Sequence, residues 1–176
     1  MSPARFISIT ALYTALLIGV QFALSGVPGV ELVTVLLLSF CFTMGVKAGV
    51  TVAVCFSAIR CLLFGFFPSV LALYLVYYTG FALFFGFLGN VFHRKITLWT
   101  LVCVDVLAVV FTAMFSLLDD VITPLFYGLG KNAAIAYFYS SLPFMLSQCI
   151  CAAISVGLLF VPISKALTIT LTKVKR

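Results

Sequence analysis

Two ionisable residues stand inside long apolar runs: Arg60 in the stretch from Cys55 to Phe64, and Asp105 in the stretch from Leu101 to Val110. A charged group in hydrocarbon costs at least about 2.5–3.5 kcal/mol. Each must therefore face a partner, water or a ligand. Glu31 opens another apolar run at the depth expected for Arg60, which suits an ion pair between the two or a shared ligand contact. Rings cluster at the same end. Tyr74, Tyr77 and Tyr78 share one run, and Tyr127, Tyr137, Phe138 and Tyr139 follow later. Tyr74 and Tyr78 are four apart and share a helix face, with Tyr77 on the adjacent face. Buried tyrosine hydroxyls need partners. Rings with a few convergent polar groups are how a pocket holds a flat, partly polar small molecule. Asp119, Asn132, Ser147 and Gln148 supply further polar groups on that side. The candidate binding set is Glu31, Arg60, Tyr74, Tyr77, Tyr78, Asp119, Asn132, Tyr139 and Gln148. The structural alternatives are an ion pair, an Arg60 that snorkels to the interface, and an interfacial aromatic belt.

Other chemistries lack their residues. Gly128-Leu129-Gly130-Lys131-Asn132 has neither the earlier glycine nor the hydroxyl residue of a phosphate-binding loop. The chain is not expected to hold ATP itself. One histidine and four acids, widely scattered, do not make a metal-ligand set. His93 sits with Arg94 and Lys95 and reads as interfacial. No Ser/His/Asp arrangement stands at membrane depth, so neither an enzyme nor a cofactor is expected. The six cysteines lie in apolar runs without C-x-x-C, and Cys149 and Cys151 fall on different helix faces. They read as small buried apolar residues.

The elements that carry these residues follow from composition. The chain of 176 residues is 65% hydrophobic and 8% charged, with a mean hydropathy of +1.33. Soluble domains carry about 25% charge. A soluble globular domain, a disordered chain and a nucleic-acid module are therefore excluded, despite the net charge of +6. A span needs about 20 residues, so six spans nearly use up the chain. They are read at Phe6–Leu24, Glu31–Met44, Ala48–Phe64, Ser69–Phe92 and Ile96–Leu118, with the sixth starting between Ala133 and Pro143 and reaching Leu171. The second is short, which implies a tilted, broken or shielded helix. The breaks fall at Ser25–Gly29, Gly45–Lys47, Gly65–Pro68 and His93–Lys95, with a longer polar loop at Asp119–Asn132. Strands are excluded by the long runs without alternation.

The expected fold is all-α: one integral membrane bundle of six transmembrane helices over residues 1–176, multi-pass in the cell membrane. With the amino terminus in the cytoplasm, the inner segments carry Arg5, Lys47, Arg94, Lys95, Lys165, Lys173, Lys175 and Arg176. The outer segments carry Lys131 with Glu31, Asp119 and Asp120. This asymmetry puts both termini in the cytoplasm. Arg5, an apolar core and Ala23-Leu24-Ser25 have the look of a cleaved signal, but the run is long and reads as a retained span.

Small residues form two stripes. Ala11, Ala15 and Gly19 recur every fourth position on span one, and Ala82 and Gly86 do so on span four. Such stripes allow close helix approach, either inside the bundle or against another membrane protein.

This layout resembles the substrate-binding S components of energy-coupling factor (ECF) transporters. The resemblance rests on six short spans, the alanine stripe on span one, and the segments Gly29–Leu38, Phe64–Phe66 and Ala136–Phe144. It implies a subunit that binds a vitamin or similar micronutrient in a pocket open to the outside. It also implies a transmembrane coupling protein and two cytoplasmic ATPase subunits as partners, with the whole subunit toppling to deliver its cargo. Ala11 and Ala15, extended by Gly19, would face the coupling protein. The short first loop leaves little to cap a ligand, so Asp119–Asn132 would do more of the gating. The alternative is a stand-alone channel or secondary carrier that uses Arg60 and Asp105.

Overall fold

Long apolar runs punctuated by glycine and proline fold as helices in a computed structural model of the chain, which describes residues 2–27, 30 and 32–175, with side chains to residue 170. The helices are α1 (Pro3–Leu24), α2 (Val33–Met44), α3 (Val46–Phe64), α4 (Pro68–Val91), α5 (Leu98–Phe126) and α6 (Lys131–Lys175). No strand occurs among the described residues. Five of the six are long and apolar enough to cross a membrane, which makes this a multi-pass membrane bundle. The near end of the bundle holds Pro3 and the α2–α3 and α4–α5 turns. The far end holds the other three connections.

The exception is α2. Its 12 residues reach about 18 Å, little more than half of a hydrocarbon core of about 30 Å. Ten of its side chains are buried, from Val33 to Thr43, and every other helix packs against it. A part-length helix at membrane depth is tolerated only where protein surrounds it. Its polar residues turn inward on their own backbone: Ser39 donates to the Val35 carbonyl and Thr43 to the Ser39 carbonyl, both at 2.7 Å. From α1, the Tyr13 hydroxyl donates to the Leu36 carbonyl at 2.7 Å, and its ring stacks on Phe40 at 4.2 Å.

The hinge after α2 is one residue, Gly45, at φ 88°, a conformation suited to glycine. The tight turn brings Val46 and Phe42 against α4. A Cβ on Gly86 would stand 2.8 Å from the Val46 backbone, and one on Gly89 would meet the Phe42 carbonyl. Ala82 is fully buried on the same face. The stripe on α4 is thus internal packing. Farther along, Tyr77, Phe81, Phe85, Phe111 and Phe115 interlock α4 with α5, with ring centroids 4.5–6.4 Å apart.

The polar segment 119–132, expected as a loop, is mostly helix. α5 continues to Phe126, and α6 begins at Lys131. Hydrogen bonds within and across the helix pair compensate for the poor helix formers. Thr123 donates to Asp119 at 2.7 Å, the Tyr137 hydroxyl donates to Asp119 at 2.9 Å, and Ser141 donates to Asp120 at 2.8 Å. Pro124 lies in the last turn, where its missing N–H removes only one bond. Gly128, at φ 62°, closes α5. Its N–H donates to the Leu125 carbonyl, and the Leu129 N–H to the Pro124 carbonyl, a glycine-capped helix end. The gating loop expected at Asp119–Asn132 is therefore a helical hairpin with a turn over 127–130. α6 carries Pro143 and Pro162 within one helix, as neighbouring helices permit in a membrane bundle.

Candidate ligand-binding site

Because α2 starts late, the far half of the bundle is not filled along its axis. A cavity of about 320 Å³ opens above Leu32 and Val33, and all six helices line it. α1 contributes Gln21 and Leu24, α3 Arg60 and Phe64, and α4 Tyr74 and Tyr78. Phe115 of α5 and Gln148 of α6 complete the wall. Ser57 sets the height of Arg60 against α4: its hydroxyl reaches the Ala53 carbonyl at 2.8 Å and the Tyr74 carbonyl at 3.1 Å. The Arg60 guanidinium then lies 4.2 Å from the Tyr74 ring centroid and 5.3 Å from that of Phe64. Cation–π attraction at a desolvated site is worth about 2 kcal/mol, and it holds the charge inside the wall. Arg60 Nε is buried with no hydrogen-bond partner among the described residues. Gln21 Nε2 donates to the Tyr74 hydroxyl at 3.3 Å, while Gln21 Oε1 is buried and unpartnered among the described residues. Tyr74 also meets Tyr78 at 5.1 Å and Phe115 at 5.5 Å. The result is an aromatic wall with a cation at one edge.

A second cavity of about 310 Å³ lies between α5 and α6 and shares Phe115 and Gln148 with the first. Ser116, Asp119, Asp120, Tyr137 and Ser141 supply its polar lining. Ser116 donates to Gln148 Oε1 at 3.2 Å, which orients the carboxamide at the junction. Both Asp119 oxygens accept hydrogen bonds, from Thr123 and Tyr137. Asp120 is 9% exposed. One of its oxygens accepts from Ser141, and the other, Oδ1, is buried without a partner among the described residues. The two neighbouring cavities thus present a guanidinium in one and a pair of carboxylates in the other.

The structure brings Arg60, Tyr74, Tyr78 and Gln148 together and sets Asp119 in the adjoining cavity. Tyr77 lines neither cavity. It is 5% exposed and packs behind the wall against Phe81 and Phe115. Asn132 and Tyr139 lie exposed on α6 and line neither cavity, with Tyr139 66% exposed. Glu31, and with it the expected pair with Arg60, lies outside the described residues. Gln21, Phe115, Ser116, Asp120 and Ser141 are site residues absent from the expected set. The legible signals were an amide in the last turn of an apolar helix for Gln21 and a second carboxylate beside Asp119 for Asp120.

Asp105 stands ten positions before Phe115 on α5, about 15 Å along the helix, and lines neither cavity. Its Oδ1 is buried without a partner among the described residues. No group of three or more His, Cys, Asp or Glu side chains able to hold a metal ion occurs among the described residues. Ala11, Ala15 and Gly19 are exposed. With Thr51, Cys55 and Ile59 of α3 they line a separate apolar groove of about 720 Å³ on the bundle's flank. No family of known proteins, no curated protein and no solved structure matches the chain.

Proposed function

We propose that this chain is the substrate-binding membrane subunit of an ECF-type importer. It takes a vitamin or similar micronutrient from outside into the far-end cavity. It delivers that cargo inward together with a transmembrane coupling protein and two cytoplasmic ATPase subunits. The observation that carries the reading is the late start of α2, which leaves a lined cavity in the far half above a packed near half. Phe40, Phe42, Phe81, Phe85 and Phe160 are all 0–1% exposed beneath it. Such a site binds a small molecule but offers no straight path past α2, which favours a binding subunit that moves with its cargo over a channel.

Two further features support the reading. Arg5, Lys47, Arg94, Lys95 and Lys165 belong to near-end segments, and the positive-inside bias then puts the near end and both termini in the cytoplasm of the cell membrane. The groove at Ala11, Ala15 and Gly19 is a small-residue face on which a partner's helices can approach closely. A carrier running through Arg60 and Asp105 has less support, since the two stand on different levels of the bundle.

The test is mass spectrometry of small molecules released from the purified full chain, paired with uptake in cells that do or do not express the coupling protein and ATPases. A released micronutrient and partner-dependent uptake are expected. Uptake into vesicles that hold this chain alone would overturn the reading.

A further inference from the structure

We propose that the two far-end cavities form one site for an amphoteric ligand, with its anionic group at Arg60, its cationic nitrogen at the Asp120 carboxylate, and a planar portion between them against Tyr74 and Phe115. This rests on the reading of the far-end cavity as the nutrient site and adds the chemical class of the nutrient.

Three buried polar atoms on side chains that line the two cavities have no hydrogen-bond partner among the described residues: Gln21 Oε1, Arg60 Nε and Asp120 Oδ1. Buried polar groups in folded proteins are normally paired, and each of these three belongs to a side chain that lines one of the cavities. Their chemistry is not interchangeable. A guanidinium offers donors alone and suits a carboxylate or phosphate, whereas an ionised carboxylate only accepts. Asp119 differs in that each of its oxygens already accepts a hydrogen bond, from Thr123 and from Tyr137. Ser141 fixes Asp120 through Oδ2, while Oδ1 is buried without a partner among the described residues, on a side chain only 9% exposed.

An anionic ligand alone would satisfy Arg60 and leave Asp120 Oδ1 buried and bare. A cationic ligand alone would do the reverse. A ligand that carries both charges, one toward each end, meets both. The size agrees. Each cavity alone, about 320 and about 310 Å³, sits at the lower edge of the range for small-molecule sites, about 300–1,000 Å³. Taken as one site, with Phe115 and Gln148 common to both walls, they fall well inside it. The Phe115 ring stands edge-on to Tyr74 at 5.5 Å, so the junction offers ring surface to the ligand's middle.

The experiment uses the full chain in detergent and three matched probe series. The first is the 4-(ω-aminoalkyl)benzoates with one to four methylenes. The second is the 4-alkylbenzoates, which lack the amine, and the third is the ω-phenylalkylamines, which lack the carboxylate. At least one amphoteric probe is expected to bind about tenfold or more tighter than its counterparts of equal length, the scale of one charge-assisted contact. Asp120→Asn should reduce its affinity to that of the matching benzoate, and Arg60→Gln to that of the matching amine. The melting transition of each variant shows that it is folded. Benzoates that bind as tightly as every amphoteric probe would overturn this inference and leave the cavity a nutrient site. An undiminished advantage in Asp120→Asn would overturn it equally, as would the absence of binding by all three series to a folded chain. Partner-independent uptake with the probe ranking intact would sink the importer reading alone.

Discussion

The Arg60 guanidinium lies over the Tyr74 ring, 4.2 Å from its centroid, and the same ring's hydroxyl receives the Gln21 amide at 3.3 Å. One tyrosine thus ties α1 and α3 to α4 at the mouth of the cavity. The planar guanidinium can stack on the ring and still direct donors into the open space, which a lysine ammonium cannot match. Arg60→Lys is expected to lower affinity for the ligand that co-purifies with the chain by about tenfold, on the scale of a lost desolvated cation–π contact. Tyr74→Leu should do the same, and Tyr74→Phe should do less, because it keeps the ring while removing the hydroxyl that Gln21 reaches. Equal losses in Tyr74→Phe and Tyr74→Leu, measured by equilibrium binding, would show that the hydroxyl and not the ring matters.

The short α2 depends on a close approach to α4. A Cβ on Gly89 would drive into the Phe42 carbonyl, and overpacking of this kind costs about 1–3 kcal/mol. Gly89→Ala should therefore lower the melting temperature in detergent. Gly80→Ala, on the same helix with open space around its Cβ, should leave it unchanged or raise it, since alanine favours helix by about 0.5–1 kcal/mol over glycine. A melting temperature that falls equally in both variants would mean that backbone flexibility of α4, and not contact with α2, is what the glycines provide.

Most of the helix order could be read from local features, because hydrophobic runs and their glycine or proline breaks are local. Pro68 opens α4, and Gly45 and Gly65 bound α3. The shortness of α2 was visible in the distance from Glu31 to Gly45. The α5–α6 hairpin was not. Asp119, Pro124, Gly128 and Gly130 read as a loop, and what makes the segment helical is contact with Tyr137 and Ser141 many residues away. The site divides in the same way. A lone arginine in an apolar run announces itself, and Arg60 lines the far-end cavity. Which tyrosine of three faces the cavity depends on where α5 lies: Tyr74 and Tyr78 line it and Tyr77 does not. Tyr137 and Tyr139 are two apart and point to different faces. Tyr137 faces Asp119, and Tyr139 faces outward.

Under the proposed importer function, the flank groove is where binding and delivery can be told apart. Ala11 and Ala15 are exposed and stand apart from both far-end cavities. Replacing both with leucine adds apolar bulk to a lipid-facing surface, so melting temperature and ligand affinity should stay as in the parent chain. Uptake that needs the coupling protein should fall to background, since a filled small-residue face bars close helix approach. Full uptake by the double variant, measured with the labelled co-purified ligand, would remove this groove from the docking interface.

Asp105 tests whether a carboxyl on α5 away from the cavity wall is needed by the protein. It stands about 15 Å along α5 from the Phe115 wall, and its buried Oδ1 has no partner among the described residues. An unsatisfied buried acceptor costs about 1–3 kcal/mol. Nothing on the cavity wall repays that cost. Asp105→Leu should therefore raise the melting temperature of the isolated chain and leave ligand affinity unchanged. The uptake assay then discriminates. Uptake equal to the parent's would make Asp105 dispensable, whereas lost uptake with intact binding would assign it to delivery. A melting temperature that drops instead would mean that the carboxyl already has a stabilising partner within the bundle, and the reading of Asp105 as an uncompensated charge would fail.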